Sequence, residues 1–117
     1  MRKVNLAEAL ASFDEPFSPR IVAYYNDSKV QVAKTRGTFV WHSHPETDDL
    51  FIVLRGRLVI ELRDGEVELE EGELYVVPRG VEHRPRADSE AHVLLIEPRG
   101  TRNTGDSGAP AAPEIEL

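Results

Sequence analysis

The chain has 117 residues, the usual length of a single domain with one hydrophobic core. Its 14 lysines and arginines and 21 aspartates and glutamates give a net charge of −7, which argues against nucleic acid or an anionic membrane as a partner. The absence of cysteine excludes disulfide bonds and thiolate metal sites.

Residues 1–19 are predicted to form a short helix and a loop. Asn5 is a good N-cap, residues 6–11 are good helix formers, and Pro16 and Pro19 prevent a longer helix. Glu8 interrupts the apolar residues of this region, so no signal peptide is expected, and no run of about 20 apolar residues is present to cross a membrane. We therefore expect a cytoplasmic protein.

Residues 20–98 have the pattern of an all-β domain. Short runs of alternating apolar and polar residues are separated by turns, with separate strands expected to begin at His83 and Ala91. Asp64 and Gly65 give a strong hairpin signal between two such runs. Many short strands joined by tight turns are typical of an antiparallel sandwich or barrel.

Residues 99–117 differ in composition from the rest of the chain. They are rich in glycine, proline and alanine, and we expect this tail to be extended or mobile. Ile115 and Leu117 are apolar and could dock on the domain, a question that the sequence leaves open.

Three histidines and an aspartate form a candidate set of metal ligands. His42 and His44 are two residues apart, so on a strand over 38–44 both side chains would point to one face. A turn then returns Asp49 toward them, and a closed barrel would bring His83 from a distant strand. We predict that His42, His44, Asp49 and His83 bind one divalent transition metal: Fe, Mn, Zn or Ni. Taken singly, each histidine is more simply explained as a surface or packed side chain, and no residue is assigned a catalytic role.

The side chains that alternate with this set form an apolar outer face. It carries two aromatic and three aliphatic side chains: Phe39, Trp41, Leu50, Ile52 and Leu54. Large apolar patches are rarely left exposed to water. We expect a second copy of the chain to cover this face in a symmetric homodimer, with the N-terminal helix as the alternative cover.

The spacing of these residues resembles the two sequence motifs of the cupin superfamily. The first motif, G-x5-H-x-H-x3/4-E-x6-G, is matched, with one residue fewer before the histidines, at Gly37, His42, His44 and Gly56. The second, G-x5-P-x-G-x2-H-x3-N, is matched at Gly72, Pro78, Gly80 and His83. The resemblance covers about residues 20–98 and is to a small single-domain cupin of the conserved-barrel (type 2) class. It implies a cupin-type jelly-roll β-barrel (a double-stranded β-helix), a metal near the mouth of the barrel, and a homodimer, as in many members.

Two residues depart from the motifs. Ala87 stands at the position of the final asparagine, which is usually structural, and Asp49 stands at the position of the glutamate. Aspartate is shorter by one methylene, about 1.3–1.5 Å, which is large beside metal–oxygen bonds of about 2.0–2.2 Å. Either the backbone lies closer, or the carboxylate binds through water, or only the histidines bind the ion.

Three hypotheses for function follow from the ligand set and the resemblance. The first is a metal-dependent enzyme of the dioxygenase, isomerase, decarboxylase or lyase type, acting on a small organic substrate. The second is a non-catalytic module that binds a small ligand in the barrel. The third is a structural dimer with a degenerate metal site. The sequence does not identify the substrate.

Overall fold

The structure, a computed structural model, describes residues 2–117. These residues form one helix and eight strands: α1 (Leu6–Ala11), β1 (Arg20–Tyr25), β2 (Ser28–Thr38), β3 (Asp49–Arg55), β4 (Leu58–Leu62), β5 (Gly65–Leu69), β6 (Leu74–Val77), β7 (His83–Pro98) and β8 (Ile115–Glu116). The strands wrap into a jelly-roll β-barrel, which confirms the predicted all-β class with a short N-terminal helix. Among the described residues, no helix is long and apolar enough to span a membrane.

Helix α1 begins at the predicted cap. The Asn5 side chain accepts a hydrogen bond of 2.9 Å from the backbone N–H of Glu8, which satisfies one of the free donors of the first turn. Leu10 and Phe13 are buried against Val32 of β2. The helix therefore covers the outside of the barrel at β2.

Strand β7 is the element that joins the two halves of the barrel. One edge pairs with β2 along almost its whole length, while the other edge pairs first with β4 and then with β3. The expectation of separate strands beginning at His83 and Ala91 is wrong. The strand stays continuous because β2 pairs with the intervening region, at Gly37 with Ala87 and at Thr35 with Ala91.

The segment between β2 and β3 also differs from the expected strand over 38–44. Strand β2 ends at Thr38 after a register shift near Gly37, and only a bridge between His42 and His83 remains beyond it. Because this segment is not extended throughout, side chains do not alternate as predicted. Phe39 does not face outward but lies edge-on to the His42 ring, with centroids 5.5 Å apart.

The hydrophobic core fills the inside of the barrel. It consists of side chains that alternate along the strands: Ala33, Phe51, Val53, Leu58, Ile60, Leu69, Val77, Ala87, Ala91, Val93 and Leu95. On β7 the same alternation places His83 and Glu97 on the inner face, one near each end of the strand. The inner face of β7 is therefore apolar in the middle and polar near its two ends, at His83 and Glu97.

Candidate metal centre

All of the predicted ligands meet at one point inside the barrel. His42 and His83 lie side by side because their backbones form a bridge, with each N–H donating to the other residue's carbonyl at 3.0 and 2.9 Å. His44 follows two residues later, and Asp49 is the first residue of β3. The four side chains are only 1 to 6% exposed. Their donor atoms lie within 4.8 Å of one another.

Two of the histidine rings are oriented by backbone carbonyls. The Nδ1 atom of His42 lies 2.8 Å from the carbonyl oxygen of Val40, and that of His83 lies 2.9 Å from that of Val81. In this arrangement Nδ1 carries the proton and donates it to the carbonyl, which leaves the lone pair of Nε2 for a metal. Both Nε2 atoms are therefore prepared as ligand atoms.

The shorter carboxylate of Asp49 reaches the centre of the cluster. Its Oδ2 atom lies 3.2 Å from Nε2 of His44 and 3.7 Å from Nε2 of His83. Asp49 gets this close because β3 begins there, paired with Val77 of β6 on one side and continuing along β7 on the other. The backbone thus compensates for the missing methylene.

The cluster has the composition and size of a metal site. Two donors on opposite sides of an ion, each about 2.1 Å away, are about 4.2 Å apart, close to the observed spread of 4.8 Å. Oδ1 of Asp49 and Nε2 of His83 are buried and have no hydrogen-bond partner. Since buried polar atoms almost always have partners, a bound cation would explain both, and these residues could hold a metal ion.

The histidines of the cluster differ in their charge. Burial lowers the pKa of His42 to about 4, so this ring is neutral near pH 7. Burial also lowers the pKa of His44, but the hydrogen bond and charge of Asp49 outweigh this effect and raise it. Burial raises the pKa of Asp49, yet the hydrogen bond from His44 and the nearby imidazole of His83 outweigh that and lower it to about 2. The metal-free protein therefore holds a His44–Asp49 ion pair at pH values below the raised pKa.

The His44–Asp49 ion pair should make metal binding depend on pH. A metal requires neutral imidazole, so below the raised pKa of His44 each ion must displace a proton. We expect the apparent affinity for Zn²⁺ to fall by up to about tenfold for each pH unit as the pH is lowered from above this raised pKa to below it. Calorimetric titration in buffers of different ionisation enthalpy should show more proton release at the lower pH. Affinity and proton release that stay constant over this range would contradict the assignment.

A small, mostly apolar cavity adjoins the cluster. Its volume is about 50 Å³, and its walls include Phe17, Phe39, Phe51, Val93 and Leu95, together with three residues of the cluster: His42, His44 and Asp49. One side of the candidate centre therefore opens onto space for a small molecule.

Glu97 is a carboxylate in this cavity that is not among the site residues predicted from the sequence. It is buried, and its Oε1 atom lies 3.0 Å from Nε2 of Gln31 and 3.7 Å from Nζ of Lys29. Burial and the nearby charge of Asp49 raise the pKa of Glu97 to about 7. The alternation of Val93, Leu95 and Glu97 along the last predicted strand was the signal that could have found it.

The C-terminal residues also reach the candidate centre. Asp106 bonds to Ser43, the residue between His42 and His44, and Asn103 lines the cavity and donates to the carbonyl of Phe17 at 3.1 Å. Leu117 donates its N–H to the carbonyl of Ile21 at 2.9 Å, and β8 pairs with β1. The docking that the sequence left open is thus present in the structure.

His92 lies outside the cluster of candidate ligands, with its Nε2 atom 3.0 Å from Oε2 of Glu90.

Comparison with known proteins agrees with this architecture. Residues 28–98 match the model of the Cupin domain family. The uncharacterized protein YdbB of Bacillus subtilis (strain 168) is 39% identical over 77 residues, which is 65% of this chain and 68% of YdbB. A cupin-2 domain containing protein from Shewanella frigidimarina is 44% identical, with a TM-score of 0.81 over 82% of this chain and 94% of that chain. Hydroquinone 1,2-dioxygenase from Sphingomonas sp. TTNP3 shares the fold at 18% identity, with a TM-score of 0.71 over 97% of this chain and 77% of that chain.

The fold and the site together define a jelly-roll barrel with a buried cluster of histidines and a carboxylate that could hold a metal. The chain belongs to the cupin domain family. The membership of this family that the two sequence motifs indicated is confirmed.

Proposed function

We propose that this protein binds one divalent transition metal (Fe, Mn, Zn or Ni) through His42, His44, Asp49 and His83, and that it acts on a small organic molecule in the adjoining cavity. The observation that carries the proposal is the pair of buried atoms without partners, Oδ1 of Asp49 and Nε2 of His83. A divalent ion satisfies both and supplies Lewis-acid chemistry when bound. The reaction would be of the dioxygenase, isomerase, decarboxylase or lyase type.

The cavity limits what the protein can bind. Its apolar walls favour a hydrocarbon group. Its volume of about 50 Å³ is well below the roughly 150 Å³ of a cavity that takes benzene, so that group is a small aliphatic one. We assign Glu97 the role of contacting a polar group of that molecule, because both polar contacts of its carboxylate fall on Oε1. With its raised pKa, Glu97 could either donate or accept a proton.

Metal analysis and ligand binding test this function. Protein purified without a chelating tag should contain, or take up, about one ion per chain. Thermal-shift measurements on the Mn²⁺-loaded protein, over a panel of small aliphatic and hydroxylated acids, should then identify ligands. The Glu97→Gln variant should keep its metal and lose the shift. Absence of metal after addition of each ion would exclude the proposal, and a ligand that binds without turnover would favour the non-catalytic alternative.

We further propose that the protein is a homodimer. Register pairs Leu74 with Ile52 and Ile52 with Leu94, and likewise Val76 with Leu50, so these side chains share the outer face of β6, β3 and β7. Leu74 is 56% exposed and Val76 is 39% exposed. Helix α1 contacts Leu54 but lies at one end of this face. A second copy of the chain would cover the rest of it.

A charge on this face is expected to separate the dimer. Leu74→Lys should shift the sedimentation behaviour from dimer to monomer at micromolar concentration, because burying an ammonium group in an apolar interface is costly. The melting temperature of the monomer should stay close to that of the parent's monomeric form, since Leu74 is exposed there. Val40→Lys, at an exposed valine outside the three strands, serves as the control and should remain dimeric. A parent protein that is monomeric at high concentration would contradict the proposal.

A further inference from the structure

The residue between two of the candidate ligands is held by the C-terminal segment. The N–H and hydroxyl of Ser43 donate to the two carboxylate oxygens of Asp106, at 2.7 Å to Oδ1 and 2.8 Å to Oδ2. The N–H of Asp106 in turn donates to the carbonyl of Ser43 at 3.0 Å. Every hydrogen-bonding group of Ser43 is therefore satisfied by one residue that lies 63 positions later in the chain.

The contact is close as well as polar. Gly105 has a φ of +52°, and a Cβ at this position would lie 2.2 Å from the carbonyl oxygen of Ser43 and 3.0 Å from Cδ2 of His42. Only glycine permits this approach, because any side chain would push the segment away from the ligand residues. The C-terminal segment thus packs directly on the back of the candidate centre.

The segment is fixed to the barrel on both sides of Asp106. The buried ammonium of Lys29 contacts the carbonyl of Thr101 at 2.9 Å and the carboxylate of Glu114 at 2.7 Å. Beyond Glu114, strand β8 pairs in parallel with β1. Asp106 is therefore presented to Ser43 by a loop whose two ends are held, which makes the contact preorganised.

The three consecutive residues that carry the two histidines have three different anchors. His42 is held by the bridge to His83, and the carbonyl of His44 accepts from the N–H of Gly80 at 3.1 Å. Ser43 depends on Asp106 alone. This stretch is not a regular strand, so apart from the bridge at His42 no sheet hydrogen bonds hold it.

We propose that Asp106 is a positioning residue for metal binding, which holds the stretch from His42 to His44 in the geometry that the ion requires. The proposal rests on the metal binding proposed above. Contacts that orient ligand residues typically change metal affinity by about 10–100-fold when removed. The C-terminal segment would then be a component of the site as well as a cover of the barrel.

The first test replaces the carboxylate. Asp106→Asn keeps the shape of the side chain but cannot accept from both Ser43 donors, and we expect Zn²⁺ affinity to fall about tenfold. The Co²⁺-substituted protein should also show an altered visible absorption spectrum. Asp64→Asn, at the remote β4–β5 turn, makes the same charge change and should leave both measurements unchanged.

The second test displaces the segment without changing charge. Gly105→Ala forces a Cβ against Ser43, whereas Gly108→Ala places one at a φ of +80° with nothing within 4 Å. Both variants carry backbone strain, but only Gly105→Ala should weaken Zn²⁺ binding, again by about tenfold. Equal effects of the two variants would assign the loss to strain and overturn the proposal.

Hydrogen exchange of the metal-free proteins distinguishes a failure of this inference from a failure of the proposed metal binding. In Asp106→Asn the amide of Ser43 should exchange faster than in the parent, a result that does not depend on metal binding. Faster exchange together with Zn²⁺ affinity within twofold of the parent would show that the contact exists but positions nothing, which overturns this inference alone. A parent protein that binds no metal would overturn the proposed function and this inference with it.

Discussion

Replacing His83 with alanine is expected to lower the affinity for Zn²⁺ by about 10²–10³-fold. Structural zinc sites bind with about 10–16 kcal/mol, so each of four ligands contributes about 2.5–4 kcal/mol, and about 1.4 kcal/mol corresponds to a tenfold change. The backbone bridge to His42 is retained in this variant, so the loss reports on the almost fully buried imidazole. Titration with a competing chelator measures the effect.

His92→Ala is the matched control for this variant. It removes the other imidazole of β7, but from a half-buried position beside Glu90 and not from the cluster. Its Zn²⁺ affinity should stay within about twofold of the parent, since no ligand is lost. If His83→Ala does not fold, His83→Gln preserves most of the volume and a polar group. Equal metal affinities for the parent and the His83 variants would refute the ligand assignment.

Asp49→Asn is expected to cause the second large effect, a loss of about 10²-fold or more in Zn²⁺ affinity. The carboxylate lies within hydrogen-bond distance of His44 and has its other oxygen buried without a partner. Removing its charge leaves the site with neutral donors only, and the amide adds an N–H that cannot bind a cation. Asp48→Asn, at the neighbouring exposed carboxylate, makes the same change outside the cluster and should leave affinity unchanged.

Asp49→Glu tests how the site fits its ligand. The backbone at the start of β3 already brings the shorter side chain to His44, so an added methylene must be accommodated in a closely packed centre. Overpacking of this kind typically costs about 1–3 kcal/mol, and we expect weaker metal binding than in the parent. For the Asp49→Asn variant described above, a Zn²⁺ affinity equal to that of the parent would mean that the histidines alone bind the ion.

Much of the fold was predictable because it depends on local patterns. The cap at Asn5, the hairpin at Asp64 and Gly65, and the alternation of inner residues on β7 follow directly from the sequence and agree with the structure. Each of these features is determined largely by residues within a few positions of one another, so it leaves a local pattern in the sequence.

The residues of the candidate site could be predicted from the sequence, but the backbone structure that brings them together could not. The predicted ligands do meet, yet His42 and His44 do not lie on the regular strand that was expected. They meet His83 through a long-range bridge, and an isolated segment carries no sign of such pairing. The inward position of Phe39 was also not predicted, because an irregularity in the pairing of β2 near Gly37 breaks the alternation of side chains.

The contribution of the C-terminal segment could not be predicted from its composition. A sequence rich in glycine, proline and alanine usually indicates weak local structure. Here Gly105 is required because the backbone approaches Ser43 closely, and Asp106 finds its partners far away in the sequence. Both interactions depend on the folded barrel, so neither leaves a local pattern.

One metal ion is proposed to bind between the side chains of His42, His44, Asp49 and His83. Anomalous diffraction from crystals of the metal-loaded protein, collected at the absorption edges of Fe, Mn, Ni and Zn, tests it most directly. We expect one anomalous peak per chain, with an Asp49 oxygen at about 2.0–2.2 Å and the three imidazole nitrogens at similar distances. A loaded protein without an anomalous peak among these four side chains would contradict the claim.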